Sequence, residues 1–215
     1  MAPRPARPDL RDLKARAIVE AAALVFSERG LRSARMADVA ERAGIGKGTV
    51  YEYFRSKEDL FLAVFDAFGV GMLDDLLAQL EPHPSSASAY LRRFCDAMLE
   101  ALQQVLYIYP LTMEFWSAAA TSELKDRLMG EFRKTYASYR RVLASVIRQG
   151  KSAGEFATHV DPDHMAAALV GAIDALFLQA WLDPDFDAMA VGNHLLDVTL
   201  RGMAAEPRNS AAPEN

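Results

Sequence analysis

Apolar residues recur every three or four positions along almost all of the 215-residue chain, and in no stretch do they alternate one by one. A spacing of three and four puts side chains on one face of a helix, whereas alternation puts them on one face of a strand. The chain is therefore expected to be all-α, with about nine helices. Half of its residues are hydrophobic, which is enough to fill an interior.

Punctuation divides this pattern. Ile18, Ala21, Ala22, Val25 and Phe26 form the stripe of a first helix, Leu10 to Arg29, closed by Gly30. The next stretch, MADVAERAGIGKGTVYEYFRSKEDL from Met36 to Leu60, reads as two short helices and the start of another. Gly44 supplies the corner, Ile45 turns inward, and Gly46 begins the second helix. Val50 and Phe54 share its inner face, four residues apart. Lys47, Gly48, Thr49, Tyr51 and Tyr53 are left facing outward. Ser56, with Asp59 three residues on, caps the following helix. Two helices joined by a glycine turn form a helix-turn-helix, whose second helix enters a DNA major groove by its N-terminal residues.

Charge is distributed to suit that reading. Residues 1–57 hold 12 Lys and Arg against 7 Asp and Glu, net +5, and the remainder holds 12 against 22, net −10. A basic head on an acidic body fits a chain that meets DNA at one end.

The run GKGTVYEYFRSKEDL closely resembles the DNA-binding signature of TetR-family transcriptional regulators, over about Arg16 to Leu62. Two positions depart from the family's usual pattern, Gly46 and Arg35, where Ser and Thr or Ser are common. The resemblance implies a homodimeric regulator, most simply a repressor, that leaves a palindromic double-stranded DNA operator when a small effector binds. It implies Lys47, Gly48, Thr49, Tyr51 and Tyr53 at the groove and Lys57 on the phosphate backbone. Arg35 either pairs with guanine or holds phosphate. Glu52 either faces away or accepts from a cytosine amino group.

Beyond the head, a fourth helix is expected from Lys57 to Gln79, with Gly69 and Gly71 as either a pliable point or a close-packing site. Pro82, Pro84, Ser85 and Ser86 mark a loop. A fifth helix reaches Tyr107 and a short sixth spans Leu111 to Ala120. A seventh runs from Ser122 to Gln149, with Gly150 as its stop. Asp161 and Pro162 open an eighth, which reaches Leu182, and a ninth runs from Ala188 to Ala204. The expected organisation is a basic arm (1–10), a DNA-binding domain (11–56), a ligand-binding and dimerisation domain (57–204) and a polar tail (205–215). Both end segments are expected to be disordered.

The body is rich in aromatics and methionine, which suggests a cavity for a mostly apolar ligand. Tyr107, Met113, Glu114, Trp116, Tyr139, Asp174 and Phe177 are its candidate lining. Glu114 and Asp174 sit in apolar helices, and a buried acid needs a partner: either a ligand or a protein group such as Arg140 or Arg141. In the family, the last two helices pair with those of a second subunit. Leu169, Ile173, Leu176, Ala180, Leu195 and Leu196 are the corresponding apolar positions here.

Other chemistry finds little footing. His83, His159, His164 and His194 have no metal-ligand spacing, and neither a phosphate loop nor a nucleophile elbow is present. No enzyme activity, metal or cofactor is expected. Single Cys95 reads as a core thiol. No run approaches the ~20 uninterrupted apolar residues of a membrane span, so no membrane partner is expected; with one cysteine and no apolar stretch in MAPRPARPDLRD, the expected compartment is the cytoplasm.

Overall fold

The computed structural model describes residues 10–68, 75–77, 80, 86–121 and 123–205. The basic arm up to residue 9, Gly69, Gly71, His83, the Pro82–Ser85 loop and the tail from 206 lie outside the described residues. Among the described residues there are nine α-helices and no strand. In chain order they are α1 (Leu10–Ser33), α2 (Met36–Arg42), α3 (Lys47–Tyr53), α4 (Lys57–Asp66) and α5 (Ala87–Val105). After a 3-10 turn at Leu106–Ile108 come α6 (Tyr109–Thr121), α7 (Lys125–Ser152), α8 (Pro162–Leu182) and α9 (Ala188–Met203). The chain divides into two compact units, Met1–Met72 with Tyr107–Lys134, and Leu73–Leu106 with Thr135–Asn215.

The first unit is built on phenylalanine. Phe26 of α1 meets Phe61 of α4 edge-on at 5.3 Å between centroids, and Phe61 meets Phe115 of α6 at 4.6 Å. Phe65, one turn further along α4, touches both Phe115 at 4.9 Å and Phe132 of α7 at 4.7 Å. Edge-on pairs at this separation add about 0.5–1.5 kcal/mol each beyond the area they bury. Ile18, Val25, Val39, Val50, Leu60 and Val64 fill the space around them, each at most 1 % exposed. The stripe read on α1 and the Val50 face of α3 are thus the faces the fold buries. Ile45 is only half-buried.

In the second unit, α9 packs against α5 and α8. Leu91, Phe94 and Leu99 of α5, Leu143 and Ile147 of α7, and Leu196 and Met203 of α9 are buried. Helix α5 starts at a Ser86 cap, whose hydroxyl accepts from the Ala89 N–H at 3.1 Å. Helix α8 starts at Asp161, which accepts from the N–H groups of Asp163 and His164, with Pro162 in the first turn. Both starts are those expected from the sequence. Cys95 is buried, and burial, with Asp96 nearby, pushes its thiol up to about 12. A thiol so far from ionising is inert at neutral pH.

Gly150 is not the stop it was expected to be. Helix α7 continues through it to Ser152. A Cβ on Gly150 would stand 2.4 Å from the Phe156 ring and 2.8 Å from Ala87 Cβ. The glycine is there for close approach, and the chain turns later, at Gly154, where φ is +74°. Phe156 then forms an isolated antiparallel bridge with Ala204. Gly192 is a similar case, since its added Cβ would lie 2.6 Å from Leu99.

Candidate nucleic-acid interface

Helix α2 ends in a turn at Gly44, which takes φ +67°. Only a residue without a Cβ adopts this readily, so glycine makes the corner at little cost. Gly46, in extended conformation, caps α3. Val50 anchors α3 at 0 % exposure, and this fixes which side chains face outward. Lys47, Gly48 and Tyr51 are exposed, while Thr49 and Tyr53 are half-buried. Nothing lies within 4 Å of a Cβ added to Gly48, so α3 presents bare backbone there. Lys47 and Tyr51 are one turn apart on the same face, with the ammonium 5.8 Å from the ring centroid. Arg11 of α1 reaches the Tyr53 ring in the same manner, at 6.0 Å. A cation and a phenol ring side by side at a helix start offer one group to a phosphate and another to base edges.

Arg35 and Lys57 have protein partners that the sequence reading did not assign. Asp38, in the first turn of α2, accepts from the Arg35 N–H at 2.9 Å and from its guanidinium at 3.1 Å. Arg29 approaches the same carboxylate at 3.3 Å. Asp38 is buried, and the Arg35 hydrogen bond, outweighing burial, holds its carboxyl below the ordinary range. Arginine cannot accept, so only the carboxylate half of a capping box forms here. The Arg35 side chain itself remains 75 % exposed, open to a phosphate. Asp38 was missed; an acid three residues after the capping position Arg35 was the available signal. Lys57 Nζ donates to the carbonyls of Arg32 at 3.2 Å and Ala34 at 3.0 Å. An ammonium has three N–H donors, so one remains beyond these two carbonyls.

The expected ligand lining does not form one cluster within either unit. Tyr107, Met113, Glu114 and Trp116 belong to the first unit, and Tyr139, Asp174 and Phe177 to the second. Tyr107 is 67 % and Trp116 43 % exposed, whereas Phe177 is buried. Each acid meets a protein group other than Arg140 or Arg141 among the described residues. Glu114 Oε2 accepts from the Leu31 N–H at 2.9 Å, and Asp174 Oδ2 accepts from Tyr136 Oη at 2.6 Å. Burial raises the Asp174 carboxyl above its usual range, with the Tyr136 bond opposing. A surface pocket of about 480 Å³ does exist in the second unit, lined among others by His159, Asp161, His164 and Met203. None of the expected ligand residues lines it.

The residues expected to pair with a second copy differ in exposure. Leu169, Leu176 and Leu196 are at most 6 % exposed, because they fill the core of their own chain. They have little area left for a second copy. Ile173 and Ala180 are half-buried and Leu195 is 39 % exposed. Val191 and Val198, at 43 % and 52 %, share a stripe with Leu195, and Trp181 and Leu182 are open at the end of α8. By length and composition α8 could cross a membrane: its most apolar window has mean hydropathy 1.7, and only 28 % of that window is buried.

Residues 18–64 match the family model for bacterial regulatory proteins of the tetR family, and residues 87–204 match that of the C-terminal part of BetI-type transcriptional repressors. The chain is 22 % identical over 192 residues to the fatty acid metabolism regulator protein of Bacillus subtilis (strain 168), covering 86 % of this chain and 93 % of the other. It is 31 % identical over 149 residues to the transcriptional repressor KstR2 of Rhodococcus jostii (strain RHA1), covering 67 % and 68 %. A crystal structure of a putative transcriptional regulator from Saccharomonospora viridis in complex with choline has the same fold, with TM-score 0.70 at 21 % identity over 89 % of this chain and 98 % of that one. Head and body thus match successive parts of one kind of protein, in order, and the chain belongs to the TetR family of bacterial transcriptional regulators.

Proposed function

We propose that the chain is a homodimeric repressor that reads a palindromic operator with two copies of α3 and leaves it when a small, mostly apolar ligand binds. The observation that carries the reading is the exposed start of α3, where Lys47, Gly48 and Tyr51 are open and Thr49 half-buried on a helix locked from behind by Val50. Lys47 and the free donor of Lys57 meet phosphates, as does Arg35 with the part of its guanidinium that Asp38 leaves open. Tyr51 reaches base edges, and Tyr53, steadied by Arg11, meets the backbone.

One head makes too few contacts for a specific site, and two related by a twofold axis match a palindrome. The Val191, Leu195 and Val198 stripe and the open face of α8 supply apolar surface for a second copy. A helix so apolar and so little buried in its own chain needs cover. Support for a ligand comes from relatives: one is a fatty acid metabolism regulator by name, and one fold relative was crystallised with choline. The ligand must favour the conformation that does not bind DNA, with coupling of ~1–3 kcal/mol.

The test begins with a duplex selected by the full chain from a random-sequence pool. Fatty acids and choline are then screened for those that raise the melting temperature of the free chain. Compounds that bind should weaken the complex with the selected duplex. Compounds that bind and leave duplex affinity unchanged would overturn release by ligand.

A further inference from the structure

Helix α1 does not pass smoothly into the helix-turn-helix. At Gly30 the backbone takes φ 72° and ψ 159°, a break within α1, and a single further turn follows. The break strips the Leu31 N–H of an intrahelical partner, as at any helix start. Glu114, 83 residues further along the chain on α6, accepts that N–H at 2.9 Å. A Cβ added to Gly30 would lie 3.0 Å from Glu114 Oε1 and 3.3 Å from Oε2, so the carboxylate lies against bare backbone.

The same turn is gripped elsewhere. Lys57, the first residue of α4, holds the carbonyls of Arg32 and Ala34. Asp38 of α2 gathers Arg29, before the break, and Arg35, after it. Residues 29–35 are therefore held by an acid from α6, a lysine from α4 and an acid from α2. This segment is the covalent link between α1 and the helices that meet DNA.

We infer that Glu114 is a positioning residue for DNA recognition: its bond to Leu31 sets the angle at which α2 and α3 leave α1. Phe115, the next residue, already ties α6 to Phe61 and Phe65 of α4. Apolar contact is non-directional, and rings can slide over one another. A charge-assisted hydrogen bond to one N–H is directional and roughly twice as strong as a neutral one. The acid in an otherwise apolar stretch of α6 is thus explained by geometry at the head, which apolar contacts alone do not define.

The experiment uses the full chain, a duplex it selects from a random pool, and an unrelated duplex of equal length. Glu114→Gln keeps side-chain length and an acceptor oxygen. Glu114→Asp keeps the charge but falls short by one methylene, and Glu114→Ala removes the group. Affinities are measured well below each variant's thermal transition. The Ala and Asp variants should lose about tenfold or more on the selected duplex. Their affinity for the unrelated duplex should stay within about threefold, because the DNA-facing side chains are intact. The Gln variant should stay within about threefold of the parent on both.

Equal losses on both duplexes would reduce Glu114 to a stability role. An Asp variant equal to the parent, or an Ala variant with no loss, would remove positioning altogether. Should the Ala variant fail to fold, the Asp and Gln pair decides by the same criterion. A chain that selects no sequence at all would instead defeat sequence-specific binding itself.

Discussion

Tyr136 Oη donates to Asp174 Oδ2 at 2.6 Å, joining α7 to α8 inside the second unit. Burial of the acid raises its carboxyl above the usual range, and the phenol bond only partly offsets this. An acid raised in the folded state is at no disadvantage below its unfolded pKa, near 3.8, and its ionisation opposes folding as pH rises through the folded value. Asp174→Asn keeps an acceptor for Tyr136 without the charge. The variant should be more stable than the parent at pH 7 by on the order of 1 kcal/mol, with the difference shrinking towards pH 4. Denaturant melts at several pH values measure this; a variant less stable at pH 7 would mean the carboxylate has a favourable partner.

Tyr51 is exposed on α3 beside Lys47 and contributes nothing to the core. Tyr51→Ala should weaken binding to the selected duplex roughly tenfold, the worth of a good base contact. Stability and subunit mass should be unchanged. Unaltered affinity would mean that α3 docks on another face.

Lys57 carries two tasks in this account. Its ammonium holds two carbonyls at the end of α1, and its remaining donor is the one proposed for DNA. Lys57→Ala should therefore lower stability by about 1 kcal/mol, the worth of a charged hydrogen bond with part exposure. It should also weaken binding to all duplexes alike and flatten the salt slope by about one unit. A loss confined to one base position would contradict the phosphate role.

Glu155 accepts the N–H groups of Ala87 and Ser88 at 2.7 and 2.8 Å, and the Ser88 hydroxyl as well. Partial burial works against its charge, but these hydrogen bonds prevail and its carboxyl is lowered. The stability it contributes is present above its unfolded pKa near 4.5 and is lost as pH falls through the lower folded value. Glu155→Ala should cost about 1 kcal/mol at pH 7, as loss of a helix cap does. The cost should vanish in acid; an equal cost at pH 3 would point to packing instead.

Local chemistry explains which parts of this molecule could be read from its sequence. Helix starts at Ser56 and Asp161 were legible because a cap acts on residues two or three positions away, whereas Ser86 was read only as the end of a loop. Val50 and its outward neighbours on α3 were legible because one buried residue sets a short helix's rotation. Gly150 misled because a glycine that ends a helix and one that admits a phenylalanine ring look alike until Phe156 is seen beside it. Glu114 was visible as an anomaly, an acid in an apolar stretch, but its partner is a backbone N–H 83 residues away, which no side-chain pattern marks. Leu169, Leu176 and Leu196 turn towards the core of their own chain, which the sequence did not mark for a related reason. On a helix apolar nearly all round, periodicity does not tell the face turned to its own chain from the face turned outward.

Hydroxyl-radical footprinting of the full chain on its selected duplex, with the mass of the complex measured in parallel, tests the pairing of two heads most directly. Two paired heads should leave two protected half-sites related by a twofold axis, their centres one helical turn or a multiple apart, about 10 bp or more, and an even number of chains per duplex. A single protected patch with one chain bound would contradict it.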